Sequence, residues 1–403
     1  MNKVVSVDRN LMRGMNQSTL LNLIRTHGPV SRAQLVALSG LSTGTVVSIT
    51  SELLKHQFIL AQGIADSNLG RKAGLLQVHP KGGYVLGLSL VENDEIVVVL
   101  LNLLGEVVRS ACWHAPLRDD AEGAVYLIAD KVEAFLQDSD VPRDKILGLG
   151  CGFPGNVNAQ TGSSVDNWIH NWHDVAISTP LSQALHMPVY IDNVVNCLGS
   201  YEQLFGCGKQ YRDFLVITLG RGVGMAMILN GDRYRGARGW GGEFGHIPCV
   251  QDGRRCECGK RGCLEAYVAD HSLLSIYHEL CQADPNDSQL PPNLSLNEIR
   301  ALAQQGNELL RALLMQAGRH LGTALASMVN VFNPECIILT GAHVHPDDLL
   351  FESMREAMQE HIFSRLGDDL PLVIEPVTNN RWAQGAGALV LRHFFLSPAQ
   401  APS

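Results

Sequence analysis

Apolar positions recur at helical spacing three times in the first 55 residues, then give way to strand-length runs. Leu20, Leu21, Leu23 and Ile24 put an apolar face on a helix over residues 17–26, which His27-Gly28-Pro29 ends. Ser31-Arg32-Ala33-Gln34 has the Ser-x-x-Gln spacing of a capping box, in which two side chains satisfy reciprocal orphan amides. It opens a second helix whose Leu35 and Leu38 are expected to face inward, with Gly40 as a left-handed stop. Ser42 caps a third helix over 43–55, with Val46, Ile49 and Leu53 inward and Thr43, Thr45 and Ser48 outward. Three short helices joined by such tight turns predict a helix-turn-helix. Phe58-Ile59-Leu60 and Leu75-Leu76-Gln77-Val78 then read as strands on either side of a polar loop, 63–74, with Arg71 and Lys72 at its tip. That hairpin is the wing.

From Gly83 onward strands and helices alternate. Strands are expected over 84–90, 95–103 and 107–112, with a turn at Glu92-Asn93-Asp94, followed by a helix over 121–136. Short buried strands at 146–152 and 189–191 are separated by a helix at 180–185, and a further helix covers 197–205. Strands at 214–219 and 224–229 end on an Asn230-Gly231 turn. The last third is mainly helical around a buried strand at 336–339. This is an α/β pattern in two lobes, without an internal sequence repeat.

Composition narrows the class. With 403 residues, 46% hydrophobic and 18% charged, and a mean hydropathy of +0.04, the chain is neither disordered nor fibrous. Its most apolar stretch, 96–104, is short and contains Asn102, so no membrane-spanning helix is expected. The start lacks the pattern of a secretory signal, which places the protein in the cytoplasm without membrane insertion. The net charge of −9 argues against nucleic acid for the chain as a whole. Residues 1–80, however, carry eight basic groups against three acidic ones, leaving +5 there and −14 for the remainder. Such asymmetry suggests a small nucleic-acid-binding module on an acidic body. Ser42, Thr43, Thr45, Ser48, Arg71 and Lys72 are its candidate DNA contacts.

Ten cysteines in a reducing compartment do not suggest a disulfide framework. His246, Cys256, Cys258 and Cys263 place four suitable ligands on a loop with Gly253, Gly259 and Gly262, enough to close a tetrahedral zinc site. Four protein ligands leave no open position, so the expected Zn(2+) is structural.

These residues also carry a resemblance. Gly242-Glu243-Phe244-Gly245-His246, followed by Cys256-Glu257-Cys258-Gly259 and Gly262-Cys263-Leu264-Glu265, resembles the signature of the ROK family of repressors and sugar kinases. Gly152-Phe153-Pro154-Gly155, Pro188 through Asn193, the glycine loop Leu219-Gly220-Arg221-Gly222-Val223-Gly224 and Asn333-Pro334-Glu335 extend it over nearly the whole chain. The resemblance implies a winged helix-turn-helix over 1–80 and a two-lobed, actin-like ATPase-type domain. Its first lobe is expected over 81–193, rejoined by a helix at 380–395. The second, with the zinc loop and oligomerisation helices, is expected over 194–379. It also implies a monosaccharide pocket between the lobes, with sugar contacts at Asn193, Glu243, His246 and Glu265.

Departures from the pattern separate kinase from regulator. Family kinases begin their domain with Asp-x-Gly-Gly-Thr, whose amides cradle phosphate, whereas Gly87-Leu88 here leads into Ser89-Leu90-Val91-Glu92-Asn93-Asp94. Arg221 replaces the small hydroxyl of the second phosphate loop, and Val194 stands where kinases keep the aspartate base. No catalytic residue and no ATP are therefore expected. The reading is a sugar-responsive transcriptional repressor, a homodimer or homotetramer on palindromic operator DNA, with a monosaccharide or sugar phosphate as effector. The alternatives are a sugar kinase with an appended DNA-binding domain and a regulator controlled by a protein partner.

Overall fold

In the computed structural model, residues 9–65, 73–91, 95–283, 291, 293–342 and 344–396 are described. The chain divides into two units, one made of residues 1–201 and 382–403, the other of residues 202–381. The first crossing falls inside a helix, eight residues after the boundary expected at 193.

The first unit opens with α1 (Arg9–His27), α2 (Arg32–Ser39) and α3 (Thr43–Lys55), followed by the antiparallel pair β1 (Ile59–Ala65) and β2 (Ala73–Val78). Both predicted caps form. The Ser31 hydroxyl accepts from the Gln34 amide while Gln34 reaches back to the Ser31 amide, and Ser42 accepts from the Thr45 amide. Gly40 ends α2 in the left-handed conformation. α1 is longer than its apolar stripe suggested, starting at Arg9 instead of Gln17. Leu38 does not face inward: it is 49% exposed. Leu35 is the only buried residue of this two-turn helix, flanked by half-buried Val36 and Ser39, so the residue three after it turns outward. The hairpin strands reach further than the sequence suggested, and the wing tip with Arg71 and Lys72 lies outside the described residues.

A mixed sheet follows, built from β3 (Tyr84–Val91), β4 (Glu95–Asn102), β5 (Val107–His114), β6 (Ile146–Phe153) and β10 (Val189–Asn193), in the spatial order β10-β6-β3-β4-β5. β3, β4 and β5 form an antiparallel meander, while β6 and β10 add in parallel. Between β6 and β10 lie a small sheet of β7 (Asn156–Asn158), β8 (Ser163–Asn167) and β9 (Trp172–Ala176), then α5 (Ser178–Leu185). One face is covered by α4 (Ala121–Gln137), which buries Ile128, Val132 and Phe135, and by α5. The chain leaves along α6 (Val194–Leu204) and returns as α12 (Asn379–Phe395). α12 lies directly on β3 and β6, where a β-carbon on Gly87 or Gly150 would run into the carbonyls of Ala383 and Ala386. Only glycine permits that approach. The end of α12 also supports the N-terminal helices. Phe394 meets Phe58 edge-on at 5.0 Å, and the Arg25 guanidinium stands 5.6 Å over the fully buried Phe395 ring.

The second unit repeats this strand order with different residues. β11 (Phe214–Leu219), β12 (Val223–Leu229) and β13 (Asp232–Tyr234) form an antiparallel meander, to which β14 (Cys336–Gly341) and β15 (Leu372–Pro376) add in parallel. α7 (Glu265–Val268), α8 (Asp270–Ala283), α9 (Leu296–Gln304), α10 (Glu308–Phe332) and α11 (Leu349–His361) complete the core. Glu202 enters this unit nearly buried, accepting from the Cys207 amide and lying 3.7 Å from Arg381. Burial, reinforced by Glu375 and opposed by the Cys207 and Gly208 amides and by Arg381, pushes its carboxyl up to about 6.

Candidate functional site

Each unit carries one candidate region. In the first, α2 and α3 meet at 120° across Gly40, Leu41 and Ser42. Val46, Ile49, Thr50 and Leu53 take the inward face of α3, and Thr43, Gly44, Val47, Ser48 and Ser51 are exposed. The four hydroxyl residues singled out from the sequence are therefore not equivalent. Thr43 and Ser48 project to solvent, whereas the Ser42 and Thr45 hydroxyls bond each other at 2.9 Å and close the helix start. Arg32, at the head of α2, donates to Thr50 and braces the pair from behind.

In the second unit, the loop between β13 and α7 brings His246, Cys256, Cys258 and Cys263 together, with all four ligand atoms within 4.8 Å of one another. Cys256 Sγ lies 3.7 Å from His246 Nδ1, and Cys258 Sγ lies 3.7 Å from Cys263 Sγ. Those separations test the fit. For bonds of about 2.3 Å to sulfur and 2.1 Å to nitrogen, the edges of a tetrahedron are about 3.6–3.8 Å. The residues thus have the donor set and the spacing of a closed zinc site. Backbone bonds pre-shape the loop: the Cys256 amide donates to Lys260 O, and the Gly262 amide to Arg254 O. Cys249, close by in sequence, is half-buried and packs against the core.

The carboxylates beside this centre differ in setting. Glu265 is buried: Oε2 accepts from the Val223 amide at 2.9 Å, and Oε1 lies 3.9 Å from Cys256 Sγ. It thereby ties the glycine loop to the metal loop. Glu243 is half exposed, with its carboxylate 3.9 Å from His246 Nε2. The enclosure it does have raises its carboxyl, His246 lowers it and Glu265 raises it again. One ring nitrogen of His246 thus faces Cys256 and the other faces Glu243. Metal-bound histidines are commonly oriented in this way by a carboxylate.

Sequence reasoning treated Arg221 only as a lost hydroxyl. Its guanidinium instead donates to Glu257, between two of the cysteines, at 2.6 Å. Arg254 behaves similarly, making a two-pronged pair with Glu279 while its amide donates to the Tyr267 hydroxyl. A charged residue inside the Cys-x-Cys step, facing away from the ligand atoms, was the available sign of such a clip. In the first unit, Asn193 ends β10, donating from Nδ2 to Gly155 O and accepting the Val195 amide on Oδ1. Asp192 is buried and accepts from Asn196, and Val194 begins α6, where it presents no carboxylate.

Three comparisons bear on these regions. The xylose repressor of Bacillus subtilis is 28% identical over 387 residues, covering 96% of this chain and 97% of its own. The DNA-binding transcriptional dual regulator NagC of Escherichia coli K12 is 25% identical, covering 95% of this chain and 94% of its own. The crystal structure of a ROK family transcriptional regulator, a homolog of the E. coli MLC protein, superimposes with a TM-score of 0.82 at 26% identity, over 95% of this chain and 97% of that one. The ROK family profile itself matches residues 93–393, from the first meander to the end of α12. With about three quarters of its length inside that match, the chain belongs to the ROK family.

Proposed function

We propose that the protein is a cytoplasmic transcriptional repressor that binds palindromic operator DNA through a winged helix-turn-helix and is released by a monosaccharide or sugar phosphate. The observation that carries this reading is the alignment of 95% of the chain, N-terminal helices included, with a transcriptional regulator at a TM-score of 0.82. The 120° angle of α2 and α3, with three residues between them, suits a helix-turn-helix. A two-fold dimer, or a tetramer of two dimers, would set two such modules on half-sites about one helical turn apart.

The candidate effector contacts in this reading are Glu243, His246 and Glu265 within the second unit, and Asn193 is a separate candidate within the first. Carboxylates and amides with fixed orientation read vicinal hydroxyls, which both donate and accept. A zinc ion on His246, Cys256, Cys258 and Cys263 would supply a crosslink between distant parts of the loop, with no open position. Glu265 and Arg221 hold the glycine loop against that crosslink, so Glu243 and Glu265 keep one register. Sugar phosphorylation is not part of the reading. Val194 cannot take a proton from a sugar hydroxyl, and Asp192, the nearest acid in sequence, is buried and committed to Asn196.

The test begins with selection of binding sequences from a random duplex pool by the full chain. It continues with a panel of pentoses, hexoses, amino sugars and their phosphates, added to the bound complex with and without ATP. A palindromic duplex should be enriched, and at least one sugar should release it without ATP being consumed. Turnover above about 1 s⁻¹, the low end of ordinary enzyme rates, would make the protein a kinase instead. Absence of any enriched duplex would remove the DNA-binding role.

A further inference from the structure

The outward face of α3 is unusual in what it lacks. Thr43, Gly44, Val47, Ser48 and Ser51 are exposed, and no arginine, lysine, asparagine or glutamine stands among them before Lys55 at the helix end. Glu52 is half-buried and paired with Arg13 at 2.6 Å. Guanine and adenine are usually read by two-pronged bonds from those missing side chains, and cytosine by an acid. This helix therefore has hydroxyl residues, which do not discriminate strongly, and one wholly apolar side chain. That group is Val47, 44% exposed in the middle of the face, while its neighbours Val46 and Ile49 are buried.

We propose that Val47 is a specificity-determining residue that reads the 5-methyl group of a thymine in the major groove of each operator half-site. The inference rests on the DNA-binding reading and adds to it the chemistry by which sequence is recognised. Thymine alone among the four bases presents a methyl group in the major groove, and an apolar side chain is its complement. Charge favours nucleic acid over a protein surface as the occupant of this face, because residues 1–80 carry +5 against −14 for the remainder. The surrounding small residues suit close approach. Thr43 and Ser48 present short hydroxyls beside Val47, and Gly44 presents no side chain, so the helix can lie deep enough for two methyl-bearing groups to touch.

The experiment uses the full chain and the duplex it enriches from a random pool. Each thymine is replaced in turn by deoxyuridine, which removes the methyl and nothing else. One symmetry-related pair of replacements should weaken wild-type binding about three- to fivefold per half-site, the size of one buried methyl. Val47→Ala should bind the unmodified duplex more weakly by a similar factor and become indifferent to that replacement, which is the signature of a direct contact in a double-mutant cycle. Leu38→Ala, which trims a comparably exposed aliphatic on α2, should keep the wild-type sensitivity. Because Val47 is exposed, helical content by circular dichroism should be the same in both variants. An enriched duplex bound equally well with every thymine replaced would overturn the inference while leaving DNA binding intact. So would sensitivity that survives in Val47→Ala. Failure to enrich any duplex would overturn both.

Discussion

The N-terminal helices and the metal loop are both short constructions, and they are held by opposite means. α1, α2 and α3 close on Leu20, Ile24, Leu35, Val46 and Leu53, all essentially without exposure, and their ends are satisfied by Ser31, Ser42 and Gly40. Nothing in that list is charged. The loop from His246 to Cys263 has little apolar content of its own and is organised by four ligand atoms, Arg221–Glu257 and Glu265. A module of the first kind needs only water to form and leaves its outer face available for a partner. In one of the second kind, thiols and an imidazole stand at ligand spacing, and a bound cation would fix their shape.

Removing a metal ligand should separate the two regions most sharply. In Cys263→Ser, zinc measured by atomic emission should fall from one per chain to a small fraction. Hydrogen exchange should accelerate across 246–263, and the sugar response should be lost. Structural zinc contributes about 10–16 kcal/mol to small zinc peptides, so this is the largest effect expected. Exchange in α3 should stay as in wild type. Equal loosening of α3 would mean that the regions are not independently held.

The converse perturbation acts on the first unit. Phe395→Ala removes a fully buried ring and the platform under Arg25, and should cost about 3–5 kcal/mol, seen as faster exchange in α1 and a lower denaturation midpoint. Zinc content should not change. If it does, the second unit depends on the end of α12.

The smallest effect is a change of pH. Glu202 titrates near 6 in the folded protein against 4.5 for an ordinary glutamate, so the folded state holds the proton more tightly. Its contribution is fully present below about pH 4.5, is lost as pH rises through about 6, and is flat above. The shift corresponds to about 2 kcal/mol. Glu202→Gln, still able to accept from the Cys207 amide, should flatten that segment of the curve of urea midpoint against pH. The N-terminal helices should show no change in exchange over the same range. An unchanged slope in the variant would assign the dependence to another group.

How much of this was legible in the sequence depended on how local the cause was. The caps at Ser31 and Ser42, the β11 limits at Phe214 and Leu219, and the Asn230-Gly231 turn with both residues at positive φ follow from a few adjacent residues. β7, β8 and β9 were missed because Asn156-Val157-Asn158 and Ser163-Ser164-Val165-Asp166-Asn167 carry no apolar run, and their pairing depends on one another. The repeated strand order of the two sheets was invisible because topology repeats there while residues do not. At the candidate site, the ligand spacing was readable as a motif. The tethering of Arg221 to Glu257 was not, since 36 residues separate them and only folding brings them together.

The support given by Phe394 and Phe395 to Phe58 and Arg25 also orders events in time. Arg25 and Phe58 leave the ribosome well before the side chains that seat them. The N-terminal helices have their own core and can form early, but their fixed attachment waits until α12 has been made. A chain broken off before Phe394 keeps the whole outer face of α3 and loses this anchorage, so a prematurely terminated product would hold that face on a loose tether.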